Sequence, residues 1–268
     1  MKLKGPGMTP KRARIVKALS LCAIFTLLSG IAFSVWYSLT SRYSTVLNVD
    51  DIEMIQLEAP KSGDPAAVIH TSAGDMTYRL YPEYCPNAVA NFTELANSGY
   101  YDGTYIFRVE KDIFFAAGAP NEDGSLRDEA AGAADCEHVV QELSPKLWPL
   151  RGALCALATG QDTGFWANFT GKQKTYNGSR FLVADTVEMT NEMIEGLRSN
   201  NQMAPVAEAF IEHGGIPNYS QQITVFGQLT DGFEILDAIT GAELTGETGN
   251  TRPKEPILIN SVEITVYP

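Results

Sequence analysis

Hydrophobic and polar residues alternate along several short stretches of the chain, as they do in β-strands with one buried face. Two such runs within residues 67–82 flank a turn at Ala73–Asp75 and predict a β-hairpin. Residues 151–160 and 179–186 are short apolar runs that predict buried strands, and residues 255–268 alternate up to the last residue. The pattern therefore predicts a protein built mainly from short strands.

Helical spacing of apolar residues appears in three other stretches. Residues 85–99 carry an apolar face, with a proline near the start and Gly99 at the end. Residues 188–213 predict a helical segment broken near Asn200 and Pro205, and residues 223–244 predict a strand, a turn and a helix. No sequence repeat is visible. One antiparallel barrel or sandwich with helices over its ends fits this order of elements best.

The longest apolar stretch, residues 18–39, contains no charged side chain. A helix of this length spans roughly 33 Å, enough to cross a bilayer core of about 30 Å. Residues 1–17 hold six basic residues and no acidic one, which keeps that end cytoplasmic. The sequence thus predicts a single-pass protein of the cell membrane, with a cytoplasmic segment (1–17), a transmembrane helix (18–39), an extracytoplasmic linker (40–65) and an extracytoplasmic domain (66–268). A cleaved signal peptide is the alternative, but the stretch is long for one and lacks a good cleavage site.

Charge and cysteine content narrow the possible partners. The chain has a net charge of −12, and because six of its 20 basic residues lie in the first 17 positions, the rest has a net charge of −18. A domain with this much negative charge repels phosphate groups, so nucleic-acid binding is not expected. The three histidines are scattered and no CxxC motif occurs, so no metal or other cofactor is predicted. Cys85, Cys136 and Cys155 either include one disulfide or are buried thiols.

One charged residue interrupts an apolar run. Residues 100–115 read as a turn followed by a strand, with Arg108 between Phe107 and Val109. Burying an unpaired guanidinium is costly. Arg108 is therefore paired, at the surface, or used in the function of the protein.

The order of these elements and their residues together resemble the cyclophilin-type peptidyl-prolyl isomerases. The resemblance covers roughly residues 66–267 and rests on seven stretches in the order of the family, which are VIHTSAGDMTYRLYPEYCPNAVANF, SGYYDGTYIFRV, GAP, RGALCALA, NGSRFLV, TVFGQLTDGFEILDAI and RPKEPILINSVEI. It implies a mainly β fold, an eight-stranded antiparallel barrel capped by two helices. The segment at 188–213 is similar to an added helix in the longer cyclophilins of Gram-positive bacteria.

The resemblance also implies a role for Arg108, which would lie in a substrate groove on the outer face of the barrel. When an X-Pro bond twists, the proline nitrogen regains a lone pair that the planar amide lacks. A guanidinium donor aimed at that lone pair binds the transition state better than either ground state. The proline ring would lie in an apolar pocket at the positions of Ile113, Phe114, Leu182 and Tyr219.

Several polar groups of the family are absent from this groove. Ala116 and Ala158 stand where a glutamine and an asparagine are expected, Ile223 replaces a histidine, and Arg180 replaces a second glutamine. Each lost hydrogen bond is worth about 0.5–1.5 kcal/mol. Arg108 is thus the predicted catalytic residue, and the predicted substrate-binding residues are Ile113, Phe114, Ala116, Leu157, Ala158, Arg180, Leu182, Tyr219 and Ile223.

Two functions of different class follow. The first is a membrane-anchored isomerase of reduced activity that assists the folding of secreted or cell-surface proteins. The second is a peptide-binding or chaperone module with the same fold and without efficient turnover. Arg108 and the apolar pocket favour the isomerase, whereas the lost polar groups favour the module, and a purely structural role is a third option. The expected partners are proline-containing segments of extracytoplasmic polypeptides and the lipid bilayer.

Overall fold

The computed structural model of the chain describes residues 48–126, 139–161, 174–247 and 249–268. The strands within them are β1 (Pro65–Thr71), β2 (Gly74–Leu80), β3 (Thr104–Glu110), β4 (Phe114–Ala119), β5 (Val139–Val140), β6 (Ala153–Gln161), β7 (Thr175–Ala184), β8 (Thr224–Asp231), β9 (Leu244–Glu247), β10 (Asn250–Pro253) and β11 (Leu258–Val266). The α-helices are α1 (Pro86–Asn97), α2 (Asn191–Ser199), α3 (Ala204–His213) and α4 (Phe233–Thr240). The predicted transmembrane helix and Cys136 lie outside the described residues. No helix in the described part of the chain is long and apolar enough to span a membrane.

Eight of the strands form a closed barrel. Their order is β4-β3-β11-β1-β2-β8-β6-β7, and β7 pairs with β4 to close the ring. All of these pairings are antiparallel. The predicted eight-stranded antiparallel barrel is therefore confirmed. Closure removes exposed strand edges, which would otherwise offer unpaired backbone groups to other chains.

The elements with the clearest local signals form where the sequence predicts them. The hairpin consists of β1 and β2, joined by Ser72 and Ala73; the turn starts one residue before the predicted Ala73–Asp75, and Gly74 and Asp75 belong to β2. Helix α1 starts with Pro86 in its first turn, and the chain leaves it through Gly99 in the left-handed region, with φ of 70°. The predicted helical segment at 188–213 forms two helices, α2 and α3, with the break between Ser199 and Ala204.

Aromatic side chains form part of the main core, between α1 and the barrel. Phe92 of α1 contacts Tyr101, Phe181 and Phe226, with ring centroids 5.3, 5.9 and 5.3 Å apart, respectively. Tilted and edge-on pairs at these distances are the favoured arrangements for aromatic rings. Helix α1 packs on β7, β8 and β11, whereas α4 packs on β2, β3 and β4. The two helices thus pack on different strands of the barrel.

A second apolar cluster joins the inserted helix α3 to the segment before the barrel. Trp148 and Phe210 are buried there, and Ile52 and Met54 pack against them. Gln56 is also buried; its side chain donates to Trp148 O (2.9 Å) and accepts from Trp148 N (2.6 Å). The described part of the predicted linker, from residue 48 onward, therefore packs on the domain, while the domain boundaries themselves remain a prediction.

Cys85 and Cys155 are buried free thiols. The Cys85 thiol donates to Val225 O at 3.2 Å, and the Cys155 thiol contacts Ala153 O at 3.7 Å. Burial raises the pKa of Cys85 to about 12 and raises the pKa of Cys155 well above its ordinary value. The sequence left two alternatives for the cysteines, a disulfide or buried thiols. For Cys85 and Cys155 the structure favours buried thiols.

We expect Cys85 and Cys155 to resist alkylation in the native protein. At pH 8, a thiol with a pKa of about 12 is ionised in only about one molecule in ten thousand, and the thiolate is the reactive species. Iodoacetamide labelling followed by peptide mass mapping should show both cysteines unmodified in the native state and fully modified in guanidinium chloride. Rapid native labelling of either, or a disulfide between them, would contradict the structure.

Candidate active site

The orientation of Arg108 follows from an irregularity in strand β3. Ile106 pairs with Ala117 of β4 and Arg108 pairs with Ala116, so Phe107 is an extra residue in the ladder. Such a bulge breaks the alternation of faces and redirects side chains. Ile106 and Val109 are buried in the barrel, while Phe107 and Arg108 are both half-exposed. Strict alternation from Ile106 would have turned Arg108 toward the core.

Three adjacent strands bring Arg108 next to two apolar positions. Ala116 of β4 pairs with Arg108 of β3 on one side and with Leu182 of β7 on the other. Residues opposite each other in antiparallel strands have Cβ atoms about 4.5–5.5 Å apart. The guanidinium therefore emerges beside a small residue and a buried leucine, and this leaves room for a ligand.

A cavity of about 280 Å³ opens at this point. It is lined by Phe107, Arg108, Phe114, Ala116, Gln141, Ala156, Leu157, Ala158, Leu182, Tyr219, Gln222 and Ile223. The volume is near the lower end of the range for ligand pockets, about 300–1,000 Å³, and suits a short peptide segment. Arg108 is the one charged side chain among these lining residues. The cavity thus places one positively charged side chain, that of Arg108, beside walls that are largely apolar.

Arg108 is held loosely by its neighbours. Its Cζ lies 5.3 Å from the ring centroid of Phe114, a cation–π distance. Its Nη2 lies 3.9 Å from Oε2 of Glu110, and the Arg108 side chain remains 40% exposed. Its Nε is buried and has no hydrogen-bond partner among the described residues. The contact with Phe114 therefore orients the guanidinium, and the side chain stays partly exposed at the cavity.

The apolar wall of the cavity comes from several parts of the fold. Phe114 and Tyr219 face each other with ring centroids 6.3 Å apart. Leu182 is buried on β7, while Leu157 and Ile223 are half-buried at the margin of the main core. These residues form the nonpolar wall of the cavity.

Eight of the ten predicted site residues line this cavity, and two do not. The eight are Arg108, Phe114, Ala116, Leu157, Ala158, Leu182, Tyr219 and Ile223. Ile113 instead packs against the main core, and its carbonyl accepts a hydrogen bond from Asp185 N at 2.7 Å. Arg180 donates through Nη1 to Gly124 O at 3.0 Å. The structure therefore supports neither Ile113 as a wall of this cavity nor Arg180 as a donor inside it.

Four lining residues were not predicted, namely Phe107, Gln141, Ala156 and Gln222. Phe107 reaches the cavity because of the bulge in β3. No local pattern in the sequence predicts that bulge. Gln141 and Gln222 lie in loops that are far apart in sequence and meet only in the folded chain. Ala156 neighbours the predicted Leu157, and the β6–β7 register shifts between Ala156 and Ala158.

Comparison with known proteins identifies the family to which this barrel belongs. The model of the cyclophilin type peptidyl-prolyl cis-trans isomerase/CLD family matches residues 66–264. A Staphylococcus aureus protein (strain USA300), assigned as a peptidyl-prolyl cis-trans isomerase, is 30% identical over 204 residues, which cover 76% of this chain and 93% of that protein. A Streptococcus pyogenes serotype M6 protein, assigned as a bifunctional phosphatase/peptidyl-prolyl cis-trans isomerase, is 33% identical over 216 residues. That match covers 80% of this chain but only 42% of the streptococcal protein.

Two solved structures have the same fold. The cyclophilin type peptidyl-prolyl cis-trans isomerase of Cryptosporidium parvum superposes with a TM-score of 0.54 at 23% identity, covering 76% of this chain and 99% of that one. Its structure in the presence of the dipeptide Ala-Pro gives a TM-score of 0.52 at 23% identity, covering 75% and 98%. Because the family model covers most of the chain and the staphylococcal relative is matched over nearly its whole length, the chain belongs to the cyclophilin-type peptidyl-prolyl cis-trans isomerases.

Proposed function

We propose that the Arg108 cavity catalyses cis–trans isomerisation of X-Pro bonds in extended polypeptide segments, at a rate below that of cyclophilins with a full set of polar groove residues. The observation that carries this proposal is the position of a partly exposed guanidinium beside a largely apolar cavity. The family membership of the chain points to the same reaction.

The reaction is slow without a catalyst because twisting the bond breaks amide resonance. The barrier is about 18–20 kcal/mol for ordinary peptide bonds, and X-Pro bonds interconvert in tens to hundreds of seconds. In the twisted state, the proline nitrogen becomes pyramidal and exposes a lone pair. Arg108 donates to that lone pair and lowers the barrier without forming a covalent bond or transferring a proton.

The apolar wall holds the proline ring while the rest of the chain rotates. Phe114, Leu182 and Tyr219 offer a nonpolar surface next to the guanidinium. Burying the ring there anchors one side of the rotating bond. The presence of Ala-Pro with the related Cryptosporidium parvum structure supports a proline-containing ligand.

The reduced rate is argued from the side chains that replace the polar set of the family. Ala116 and Ala158 line the cavity with methyl groups, and Ile223 adds an apolar side chain. None of the three forms a side-chain hydrogen bond with a substrate. The direct test is an NMR exchange assay of an X-Pro peptide with the purified protein. Exchange above the uncatalysed rate is the expected result, and exchange equal to it would refute the isomerase.

A peptide-binding module without efficient turnover is the second candidate function. The loss of polar groups at positions 116, 158 and 223 favours it. The apolar wall still binds proline, but the twisted transition state loses hydrogen bonds that the polar groups would have made to it. Titration of the same peptide separates the two functions, since a module binds the peptide without accelerating its exchange.

We also propose that the domain is presented outside the cytoplasm by a membrane helix at 18–39, where it acts on secreted or cell-surface polypeptides. The charge-free stretch and the basic residues before it support this arrangement. The acidic charge of the remaining chain is compatible with a domain that does not bind the anionic lipid surface.

Protease added to intact cells or protoplasts is expected to remove the domain and leave a short membrane-bound fragment. A cytoplasmic marker protein should stay intact in the same sample, which shows that the membrane is closed. A soluble mature form that begins near residue 35, or a domain that is degraded only after lysis, would contradict the proposed topology.

A further inference from the structure

Residues 139–144, here called the groove strap, include Gln141, which lines the cavity. Its first two residues form β5 and pair with Asn177 and Tyr176 of β7. Gln141 then donates through its backbone N to Thr175 O at 2.8 Å. On the other side, Gln221 Nε2 donates to Ser144 O at 2.9 Å. The groove strap is thus bonded both to the barrel and to the loop before β8.

Two glutamines of this region line the cavity, one from the groove strap and one from the loop. Gln141 Nε2 donates to Gln222 O at 2.6 Å, and Gln222 Nε2 donates to Asn218 O at 2.8 Å. A group that faces a backbone carbonyl must be the NH₂ end of the amide. Each glutamine therefore uses its nitrogen for the protein, and within the described residues no donor reaches either Oε1.

We propose that Gln141 and Gln222 bind the main chain of the peptide in place of the polar side chains that are lost at positions 116, 158 and 223. This inference rests on the proposed function, because it assigns the ligand of the same cavity. Two amide oxygens at the edge of an apolar cavity accept hydrogen bonds from main-chain N–H groups. Proline itself has no N–H. The ligand class is therefore an extended segment whose residues before and after proline both carry a free N–H.

Glu142 is the positioning residue for Gln141. Its Oε1 accepts from Asn87 Nδ2 at 2.7 Å and its Oε2 accepts from Ala88 N at 2.9 Å, at the start of α1. Its backbone N donates to Thr224 Oγ1 at 3.0 Å. Cys85, the residue before the helix, provides no side-chain cap. The carboxylate therefore supplies the missing cap of α1 and, by doing so, holds the neighbouring Gln141 at the cavity.

The test compares two blocked tetrapeptides, Ala-Ala-Pro-Ala and an analogue methylated on the nitrogens of the residues before and after proline. Their dissociation constants are measured by NMR titration with the parent protein and with a Gln141→Met, Gln222→Met variant, which keeps the length of the side chains but removes the amides. We expect the variant to bind the unmethylated peptide about tenfold more weakly. Where turnover is measurable, KM should rise while kcat changes little. The methylated peptide should bind both proteins equally.

The matched control is Gln202→Met, because Gln202 is exposed between α2 and α3 and does not line the cavity. Unchanged affinity in the double variant, an equal loss for both peptides, or no binding by the parent protein would overturn the inference. The first two outcomes leave the proposed function standing, whereas no binding by the parent protein contradicts the inference and the proposed function together. If the parent protein binds the peptide without turnover and the double variant loses affinity, the isomerase fails but the role of the glutamines stands.

A double-mutant cycle tests the role of Glu142. Glu142→Ala should weaken binding of the unmethylated peptide in the parent protein, but it should add nothing in the Gln141→Met background. If Glu142 only stabilises the fold, the same loss should appear in both backgrounds, and this result would overturn its assignment as a positioning residue.

Discussion

Replacing Arg108 with alanine is expected to lower kcat/KM for X-Pro isomerisation about a hundredfold. Removing one preorganised donor to a transition state costs about 10²–10³ in rate. The fold should survive, because Arg108 is 40% exposed and its nearest carboxylate oxygen, on Glu110, lies 3.9 Å away. Exposed pairs of this kind contribute about 0–1 kcal/mol to stability. NMR exchange rates and thermal unfolding of the same preparations measure both effects.

Two further substitutions show whether the loss of activity is specific to the guanidinium group of Arg108. Arg108→Lys should recover little activity, since an ammonium lacks the planar fork of donors and stacks less well on Phe114. Arg252→Ala is the matched control, because Arg252 is a partly exposed arginine that pairs with Glu122 at 2.9 Å and does not line the cavity. If Arg108→Ala isomerises the peptide as fast as the parent protein, Arg108 is not the catalyst and the peptide-binding module becomes the better description.

Restoring two lost polar groups, with Ala116→Gln and Ala158→Asn together, is expected to raise kcat/KM about tenfold to a hundredfold. Two hydrogen bonds of about 0.5–1.5 kcal/mol each correspond to gains of this order. The positions differ in the space that they offer. Ala158 is exposed, so an asparagine fits there directly. Ala116 is only 2% exposed, and its new side chain must extend into the cavity between Arg108 and Leu182.

This experiment has two sets of controls, which are the single variants Ala116→Gln and Ala158→Asn and a substitution of an alanine outside the cavity. Ala204→Gln serves as the control, because Ala204 is exposed at the start of α3 and lies away from the cavity. Thermal unfolding of Ala116→Gln shows whether the larger side chain strains the barrel. No gain from a well-folded double variant would mean that the polar losses do not limit the rate. The limit would then lie in the shape of the apolar wall around Leu182.

The sequence by itself was enough for elements whose signals are local. The β1–β2 hairpin and α1 follow from hydrophobic period, proline position and a terminal glycine, and all of these act within a few residues. The closed barrel was predicted from the resemblance to a family, and the ring of antiparallel pairings confirms it. Arg108 was singled out because a charged residue in an apolar strand requires a reason. The hairpin, α1 and the choice of Arg108 need only residue types and their spacing, whereas the eight-stranded barrel needed the resemblance to the family.

The tertiary structure decided which side chains meet at the cavity. A bulge at Phe107 turns Arg108 outward, and the pairing of β4 with β7 sets Leu182 beside it. Ile113 and Arg180 carry side chains suited to the groove, yet Ile113 packs against the main core, Arg180 donates to Gly124 O, and neither lines the cavity. Gln141 and Gln222 are 81 residues apart and meet through one hydrogen bond. Strand register and loop contacts depend on packing between distant segments, so no local pattern in the sequence encodes them.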